Sequence, residues 1–126
     1  MVGRSGSRSY NGHSSTSNGT GIDQWTCESG HSNEAWTYEP ASGHLVNAYS
    51  GKCLNDAGYG GQGADVIQWT CGNYANEDWA HTSAGQYKLA YNGLCLNDPD
   101  YSRFNGTQQI VWACVNTSNE KYSLPG

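Results

Sequence analysis

Positive charge is scarce in this chain. Lys and Arg together number 6 among 126 residues, against 11 Asp and Glu, which leaves a formal net charge of −5. Proteins that bind nucleic acid neutralise phosphates with clustered Lys and Arg, so this composition argues against a nucleic-acid partner. Apolar runs are also short, and none approaches the roughly 20 residues that a membrane-spanning helix requires. Residues 1–7 contain no apolar signal-peptide segment, so we expect a mature or excised domain.

Helix signals and phenylalanine are nearly absent as well. No stretch of useful length carries apolar residues at the i, i+3, i+4 spacing of an amphipathic helix. The chain contains one Phe but 5 Trp and 9 Tyr, and the latter two suit half-wet surfaces because each joins an apolar ring to a polar group. Short β-type runs alternate with turn clusters, at residues 44–49, 66–69, 87–91 and 109–112. The sequence therefore predicts an all-β protein.

Two short motifs recur along the chain with a common period. The Trp-x-Cys or related motif has its tryptophans at residues 25, 69 and 112, and an Asn-Glu-x-aromatic motif ends at residues 36, 79 and 122. A period of 43 or 44 residues indicates a fold built from similar units. Turn signals such as Asn18-Gly19 divide each unit into about four short strands, too few to bury an apolar face alone.

Three such units are therefore expected to close on one another. We predict a single all-β domain with threefold pseudo-symmetry and no linker. Its repeats cover about residues 1–38, 39–81 and 82–126, and its apolar centre contains Trp36, Trp79 and Tyr122.

Five cysteines leave one unpaired. Matching positions in the second and third repeats predict two disulfides, Cys53–Cys71 and Cys95–Cys114. Each would stabilise the fold by about 3 kcal/mol in the chain-entropy model, and disulfides indicate an oxidising, extracellular compartment. A metal site is not expected, because no Cys-x-x-Cys motif occurs and no His lies at ligand spacing from a Cys pair. Cys27 aligns with Cys71 but has Ser9 at its partner's position, so we expect a free, buried thiol.

The ordered set Cys-Leu-Asn-Asp, Trp-x-Cys and Asn-Glu-x-aromatic resembles the ricin B-type lectin repeat. This family is also called R-type lectins or family 13 carbohydrate-binding modules. The resemblance covers essentially the whole chain, and the recurrence of all three elements at one period makes it specific. It implies a β-trefoil fold, in agreement with the threefold all-β architecture predicted from the repeats.

The resemblance also implies a shallow sugar pocket in each repeat. An amide or acid after Cys-Leu reads sugar hydroxyls, the aromatic residue two before the second Cys stacks on the sugar, and the Asn of the last motif holds a hydroxyl. The next residue supports the pocket. These positions correspond to Asn55, Trp69, Asn76 and Glu77 in the second repeat, to Asn97, Trp112, Asn119 and Glu120 in the third, and to Asn11, Trp25, Asn33 and Glu34 in the less complete first repeat. Asp23, two residues before Trp25, is a further candidate of the first repeat, at a position where the family tolerates Gln or Ile.

The sequence departs from the family pattern in two ways. The usual Asp after Cys-Leu is Asn in all three repeats, and the usual Gln after the last motif's Asn is Glu. The first change would alter the hydroxyl preference or move the main acceptor to the adjacent Asp56 and Asp98. The first repeat, with Ser9 and Gly12 in place of the Cys and the second acid, is the poorest copy. We expect the second and third repeats to carry the functional pockets.

Several of these residues have a structural alternative. The tryptophans of the Trp-x-Cys motif are either stacking platforms, as we favour for Trp69 and Trp112, or core residues. The asparagines of the last motif either line pockets or cap turns. Tyr59 and Tyr101 either wall a pocket or cover a hairpin. The Asn-x-Ser/Thr sequences at residues 18, 105 and 116 are either turns or glycosylation sites.

No arrangement in the sequence indicates catalysis, and no cofactor is implied. His13, His31, His44 and His81 are scattered, without a nucleophile motif. Adjacent acids such as Glu77 and Asp78 would point to opposite faces of a strand, whereas glycosidases need two facing carboxylates.

The function predicted from the sequence is non-catalytic carbohydrate binding. Residues 95–99 and 119–125 resemble modules attached to actinobacterial glycoside hydrolases. We therefore expect a polysaccharide target, such as galactan, arabinan or xylan, and a covalently linked glycosidase domain. The alternatives are a free-standing galactose-type lectin and a protein-binding or inhibitor β-trefoil. An inhibitor would need a protruding loop, and a heparin-binding trefoil would need a basic patch.

Overall fold

The computed structural model describes residues 8–11, 16–25, 35–99, 108–115, 120 and 122. Within these ranges the strands are β1 (Arg8–Asn11), β2 (Ile22–Trp25), β3 (Trp36–Glu39), β4 (His44–Asn47), β5 (Cys53–Asp56), β6 (Val66–Trp69), β7 (Trp79–His81), β8 (Tyr87–Leu89), β9 (Leu94–Asn97) and β10 (Ile110–Ala113). Short 3-10 turns cover Ala57–Tyr59 and Ala75–Glu77. The described part of the chain contains no α-helix and, in particular, no helix long and apolar enough to cross a membrane.

Two antiparallel four-stranded meanders make up most of the described structure. One joins β3, β4, β5 and β6 in that order, the other joins β7, β8, β9 and β10, and β1 pairs with β2. Their tight turns have glycines in the left-handed region, at Gly43 and Gly51 in the first meander and at Gly85 and Gly93 in the second, where a side chain would be strained. Each meander begins at a core Trp, so it crosses the repeat boundary expected from the sequence.

The apolar core lies between the meanders and the first repeat. The predicted central residues Trp36, Trp79 and Tyr122 are all buried, which confirms their assignment to the core. Strand alternation decides which neighbours join them, since on β6 Val66 faces inward and Trp69 outward. The other buried members of the cluster are Ile22, Leu45, Leu54, Tyr87, Leu89, Leu96 and Val111.

Backbone hydrogen bonds connect the repeats to one another. Isolated antiparallel bridges pair Gly21 with Ile67, Asp65 with Ile110 and Asp23 with Gln108. Each bridge joins the approach to a Trp-x-Cys strand in one repeat to the corresponding strand of another repeat. The strands that carry the tryptophans therefore close a ring around the pseudo-threefold axis.

The Gln108 side chain caps this ring. Its Nε2 lies within hydrogen-bond distance of three carbonyl oxygens, those of Ile22 at 3.1 Å, Val66 at 2.8 Å and Gln109 at 2.7 Å. These carbonyls belong to equivalent positions in the three repeats, each three residues before the Trp. Gly21, at the position equivalent to Gln108, leaves room for the side chain, because a Cβ there would stand 2.3 Å from the Gln108 Oε1. One amide thus contacts all three repeats.

Side chains also connect the repeats at matching places. Tyr38 donates its hydroxyl to the Trp79 carbonyl at 2.9 Å, and the equivalent His81 donates from Nε2 to the Tyr122 carbonyl at 2.9 Å. The geometry is therefore kept between repeats while the residue type changes.

Both predicted disulfides are present. Cys53 bonds Cys71 and Cys95 bonds Cys114, each within one repeat. The predicted free thiol, Cys27, lies outside the described residues.

We expect Gln108→Ala to lower the free energy of unfolding by about 1–3 kcal/mol, because buried carbonyls at the axis lose a donor. Urea denaturation followed by tryptophan fluorescence measures this loss. Gln62→Ala is the matched control. Gln62 accepts a hydrogen bond from the Ala113 N–H at 3.1 Å in an exposed place, where water can replace it. Equal losses in the two variants would show that the axial amide has no special part in stability.

Candidate functional site

An open cavity of about 350 Å³ lies on the outer face of the second repeat. This volume is at the small end of the range for ligand pockets. Its lining comprises Asn55, Gly58, Tyr59, Ile67, Trp69, Tyr74 and Asn76. Three of the residues predicted from the sequence for this repeat, Asn55, Trp69 and Asn76, therefore meet in one cavity.

The register of β5 and β6 explains this meeting. Asn55 pairs with Ile67 and Cys53 pairs with Trp69, so these side chains share the outer face of the hairpin. Trp69 is 41% exposed, so its ring lies at the surface and not in the core, and its role as a stacking platform stays a prediction. The disulfide from Cys53 fixes the end of the strand that carries this ring.

Tyr59 forms a second wall from an unusual backbone conformation. Its φ is 57°, and the preceding Gly58 has a φ of 61°. A bulky residue in the left-handed region is rare and strained, and such strain is common at ligand sites. The sequence allows Tyr59 to be either a wall of the pocket or the cover of a hairpin, and the structure places it in the cavity lining. Its counterpart Tyr101 lies outside the described residues.

Tyr74 forms a third wall that the sequence reasoning missed. Its ring packs over Gly72, where a Cβ would stand 2.5 Å from the Tyr74 Cε2. The third repeat has Val115 and Thr117 at the equivalent positions, so it has neither the ring nor the space for it. The pair of Gly72 and Tyr74 was the available signal, visible only when the two repeats are compared position by position.

A buried hydrogen-bond network fixes the amides of the pocket. Asn55 donates from Nδ2 to the Glu77 Oε2 at 2.9 Å, and the Gly72 N–H donates to the Glu77 Oε1 at 3.0 Å. Asn76 donates from Nδ2 to the Asn55 Oδ1 at 3.1 Å and to the Asp56 carbonyl at 3.0 Å. Glu77 thus holds Asn55 from behind the cavity and does not line it.

Burial and hydrogen bonding act in opposite directions on the Glu77 carboxyl. Burial raises its pKa above the usual value, while the bonds from Asn55 and Gly72 and the charge of His44 act to lower it. The Asn76 Oδ1 is buried and accepts no hydrogen bond from a described residue. Since buried acceptors are normally paired, this oxygen is a candidate acceptor for a ligand hydroxyl.

The third repeat has the same buried carboxylate behind its asparagine. The described residues include only part of its pocket. Asn97 donates from Nδ2 to the Glu120 Oε2 at 2.8 Å, and the Val115 N–H donates to the Glu120 Oε1 at 2.7 Å. Trp112 is as exposed as Trp69. Asn119, the remaining predicted residue of this repeat, lies outside the described residues.

Asp56 is not placed as the sequence suggested. Adjacent residues of a strand point to opposite faces, so Asp56 lies behind Asn55 and does not line the cavity. It is fully buried, and its Oδ2 accepts a bond from the Tyr91 hydroxyl at 2.6 Å. Asp98 is buried too. Asp56 is therefore not the acceptor of the cavity, a correction that the strand period explains, whereas the assignment of Asp98 stays a prediction.

The first repeat is described least. Asn11 lies on β1 and Trp25 on β2, where the backbone alone is described, and Asn33 lies outside the described residues. Asp23 is half-buried and takes part in the bridge to Gln108. A pocket in this repeat remains a prediction from the sequence.

His44 has a structural role beside the first disulfide. Its Nε2 donates to the Gly72 carbonyl at 3.0 Å. A ring nitrogen of His44 lies within 4.8 Å of the sulfurs of Cys53 and Cys71, but those sulfurs are bonded to each other and cannot act as thiolate ligands. This grouping is therefore not a metal centre.

Solved structures with this architecture are β-trefoils. The designed threefold-symmetric protein ThreeFoil has a TM-score of 0.84 at 24% identity, covering 95% of this chain and 91% of that chain. The earthworm R-type lectin C-half in complex with GalNAc has a TM-score of 0.75 at 13% identity, covering 91% and 92%. An exo-β-1,3-galactanase from Clostridium thermocellum has a TM-score of 0.77 at 22% identity, covering 92% of this chain but 27% of that chain. These likenesses confirm the predicted fold.

The family follows from the sequence itself. The model of the ricin-type beta-trefoil lectin domain matches residues 41–125, so the chain belongs to this family. No curated protein matches the chain significantly.

We expect the substitutions Asn55→Asp and Glu77→Gln to be energetically coupled. Asn55→Asp alone would bring two carboxylates together, and Glu77→Gln alone would point an amide donor at the Gly72 N–H or at Asn55. Each should lower the free energy of unfolding by about 1–3 kcal/mol. The double variant restores one donor for each acceptor. Its free energy of unfolding should lie within about 1 kcal/mol of that of the unsubstituted protein.

Urea denaturation at neutral pH measures this double-mutant cycle. Asn97→Asp and Glu120→Gln, singly and together, form a matched cycle in the third repeat and should give the same pattern. Simple additivity of the two losses would contradict the proposed coupling.

We expect Asp56 to make stability depend on pH. Burial raises the folded-state pKa of Asp56 above its usual 3.8, against the lowering effect of its bonds to Tyr91, Gly60 and Asn92. The folded state then binds the Asp56 proton more tightly than the unfolded state does. The protonated carboxyl therefore contributes stability that is complete below the usual pKa and is lost as pH rises through the raised pKa. Asp56→Asn lacks the titration. The unfolding free energy of the unsubstituted protein minus that of the variant should fall from about pH 3 to pH 7, and a rise would contradict the assignment.

Proposed function

We propose that the second-repeat pocket binds a sugar and that the protein acts as a non-catalytic carbohydrate-binding module. The observation that carries the proposal is a cavity with three aromatic walls and a pair of amides fixed by a buried carboxylate. A pyranose offers an apolar C–H face, which suits stacking on Trp69, and a set of hydroxyls, which suits the amides of Asn55 and Asn76. Membership of the ricin-type lectin family supports carbohydrate binding.

A polysaccharide is the target that best fits repeated shallow sites. One open pocket of this kind binds near the millimolar range, or roughly −4 kcal/mol. Joint engagement of the second-repeat pocket and the site around Trp112 by one polymer would raise the apparent affinity by about 10²-fold or more. Galactan, arabinan and xylan are the candidate polymers.

Attachment to a glycoside hydrolase is the proposed context. The galactanase that shares this fold devotes about a quarter of its length to the matching region, 27% of that chain. The two disulfides are consistent with an extracellular location. A free-standing lectin is the second candidate, since the earthworm R-type lectin binds GalNAc with the same fold. A glycosidase domain in the parent gene would favour the first proposal.

Affinity electrophoresis tests the sugar-binding proposal directly. Native gels containing xylan, arabinan, β-1,3-galactan or β-1,3-glucan should retard the protein in at least one case, and a glycan array should give hits with related oligosaccharides. No retardation and an empty array would overturn sugar binding in favour of a protein-binding trefoil.

We expect Trp69→Ala to weaken binding of the retarding polysaccharide by about tenfold or more, since the stacking platform is lost, a change of about 1.4 kcal/mol. Trp112→Ala should give a smaller or similar loss, and the double variant should abolish retardation. Thermal unfolding of each variant serves as the control for folding, because both rings are already exposed. Full binding by a folded double variant would show that the sugar site lies elsewhere.

A further inference from the structure

Tyr91 is an exposed aromatic residue next to the pocket but contributed by the following repeat. It lies in the turn between β8 and β9 and is 39% exposed. Its ring meets the edge of Tyr59, with centroids 5.6 Å apart and planes at 77°. Tyr59 lines the cavity and Tyr91 does not, so Tyr91 extends the aromatic surface outward from Tyr59, beyond the cavity and across the repeat boundary.

The Tyr91 hydroxyl is already engaged with the protein. It donates to the Asp56 Oδ2 at 2.6 Å, and Asn92 Nδ2 lies 3.5 Å from the same oxygen. Burial, together with this bond, raises the pKa of Tyr91 above its usual value, so the phenol remains a donor throughout the physiological range. The hydroxyl anchors the ring, and the exposed ring surface is the part left for another molecule.

The equivalent tyrosine of the preceding repeat differs in one respect. Tyr49 occupies the same turn position between β4 and β5 and is 47% exposed. Where Tyr91 has Asp56 as its partner, the first repeat has Gly12 at the matching position. The sequence therefore provides an anchoring carboxylate for Tyr91 and none for Tyr49. Substitution of Tyr49 is thus a control for substitution of Tyr91 within the same protein.

We propose that Tyr91 is a second sugar contact, so that the pocket and Tyr91 together accommodate two or more consecutive units of an oligosaccharide. This inference rests on the proposed sugar binding. One unit stacks on Trp69 inside the cavity and a neighbouring unit of the same chain packs on Tyr91. The site then prefers an oligosaccharide to a single terminal sugar, and its specificity depends on residues of two repeats.

The ratio of trisaccharide to monosaccharide affinity tests this inference. The probes are xylose with xylotriose, arabinose with arabinotriose, galactose with β-1,3-galactotriose, and glucose with laminaritriose, each titrated by calorimetry or NMR. Every protein titrated carries Trp112→Ala, so that the third repeat does not contribute to binding. The trisaccharide of the recognised series should bind at least about fivefold more tightly than its monosaccharide.

Substitutions at the turn separate ring contact from anchoring. Tyr91→Ala should reduce the affinity ratio to about one, whereas Tyr91→Phe, which keeps the ring but loses the bond to Asp56, should retain most of it. Tyr49→Ala should leave the ratio unchanged. If Tyr91→Ala keeps the ratio, or lowers both affinities by one common factor, the inference is overturned.

A measurement on the unsubstituted ring covers the case in which Tyr91→Ala fails to fold. Ring-proton NMR signals of Tyr91 should shift on addition of the trisaccharide and shift much less with the monosaccharide. Equal shifts with both probes would overturn the inference while leaving sugar binding intact. Absence of binding by every probe and every polysaccharide would overturn the proposed function itself.

Discussion

Each four-stranded meander leaves an apolar face that only the rest of the chain can cover. The ring of backbone bridges around the axis, from Gly21 to Ile67, from Asp65 to Ile110 and from Asp23 to Gln108, holds the three repeats in the positions that cover it. The candidate pocket depends on this closure. Strand β6 takes part in the ring, and the same strand presents Ile67 and Trp69 to the outside. A ligand that contacts Trp69 therefore rests on an element fixed from two sides.

The repeated motifs of the sequence predicted most of the fold and part of the site. The period of the tryptophans predicted the threefold architecture, and the contrast between Trp79, which is buried, and Trp69, which is exposed, followed from the motif in which each occurs. The same local logic could have placed Asp56 behind Asn55, because consecutive strand residues face opposite ways.

Contacts between distant residues could not be predicted in the same way. The positive φ of Tyr59, the packing of Tyr74 on Gly72 and the bond from Tyr91 to Asp56 depend on how loops approach each other after folding. A single sequence gives no direct signal for such approaches. Only the difference between Gly72 and Val115 at matching positions pointed to one of them.

The bond between Asn55 and Glu77 links two departures from the family pattern that appear independent in the sequence. Together they keep one donor facing one acceptor, and the negative charge lies on the support behind the cavity, Glu77, and not on Asn55, which lines the cavity. Either change alone would leave a hydrogen-bonding group at the other position without a suitable partner. Glu120 holds Asn97 in the same way, and Asn11 with Glu34 shows the same pairing in sequence. In the second and third repeats, therefore, a change of side chain at one of the two positions calls for a matching change at the other.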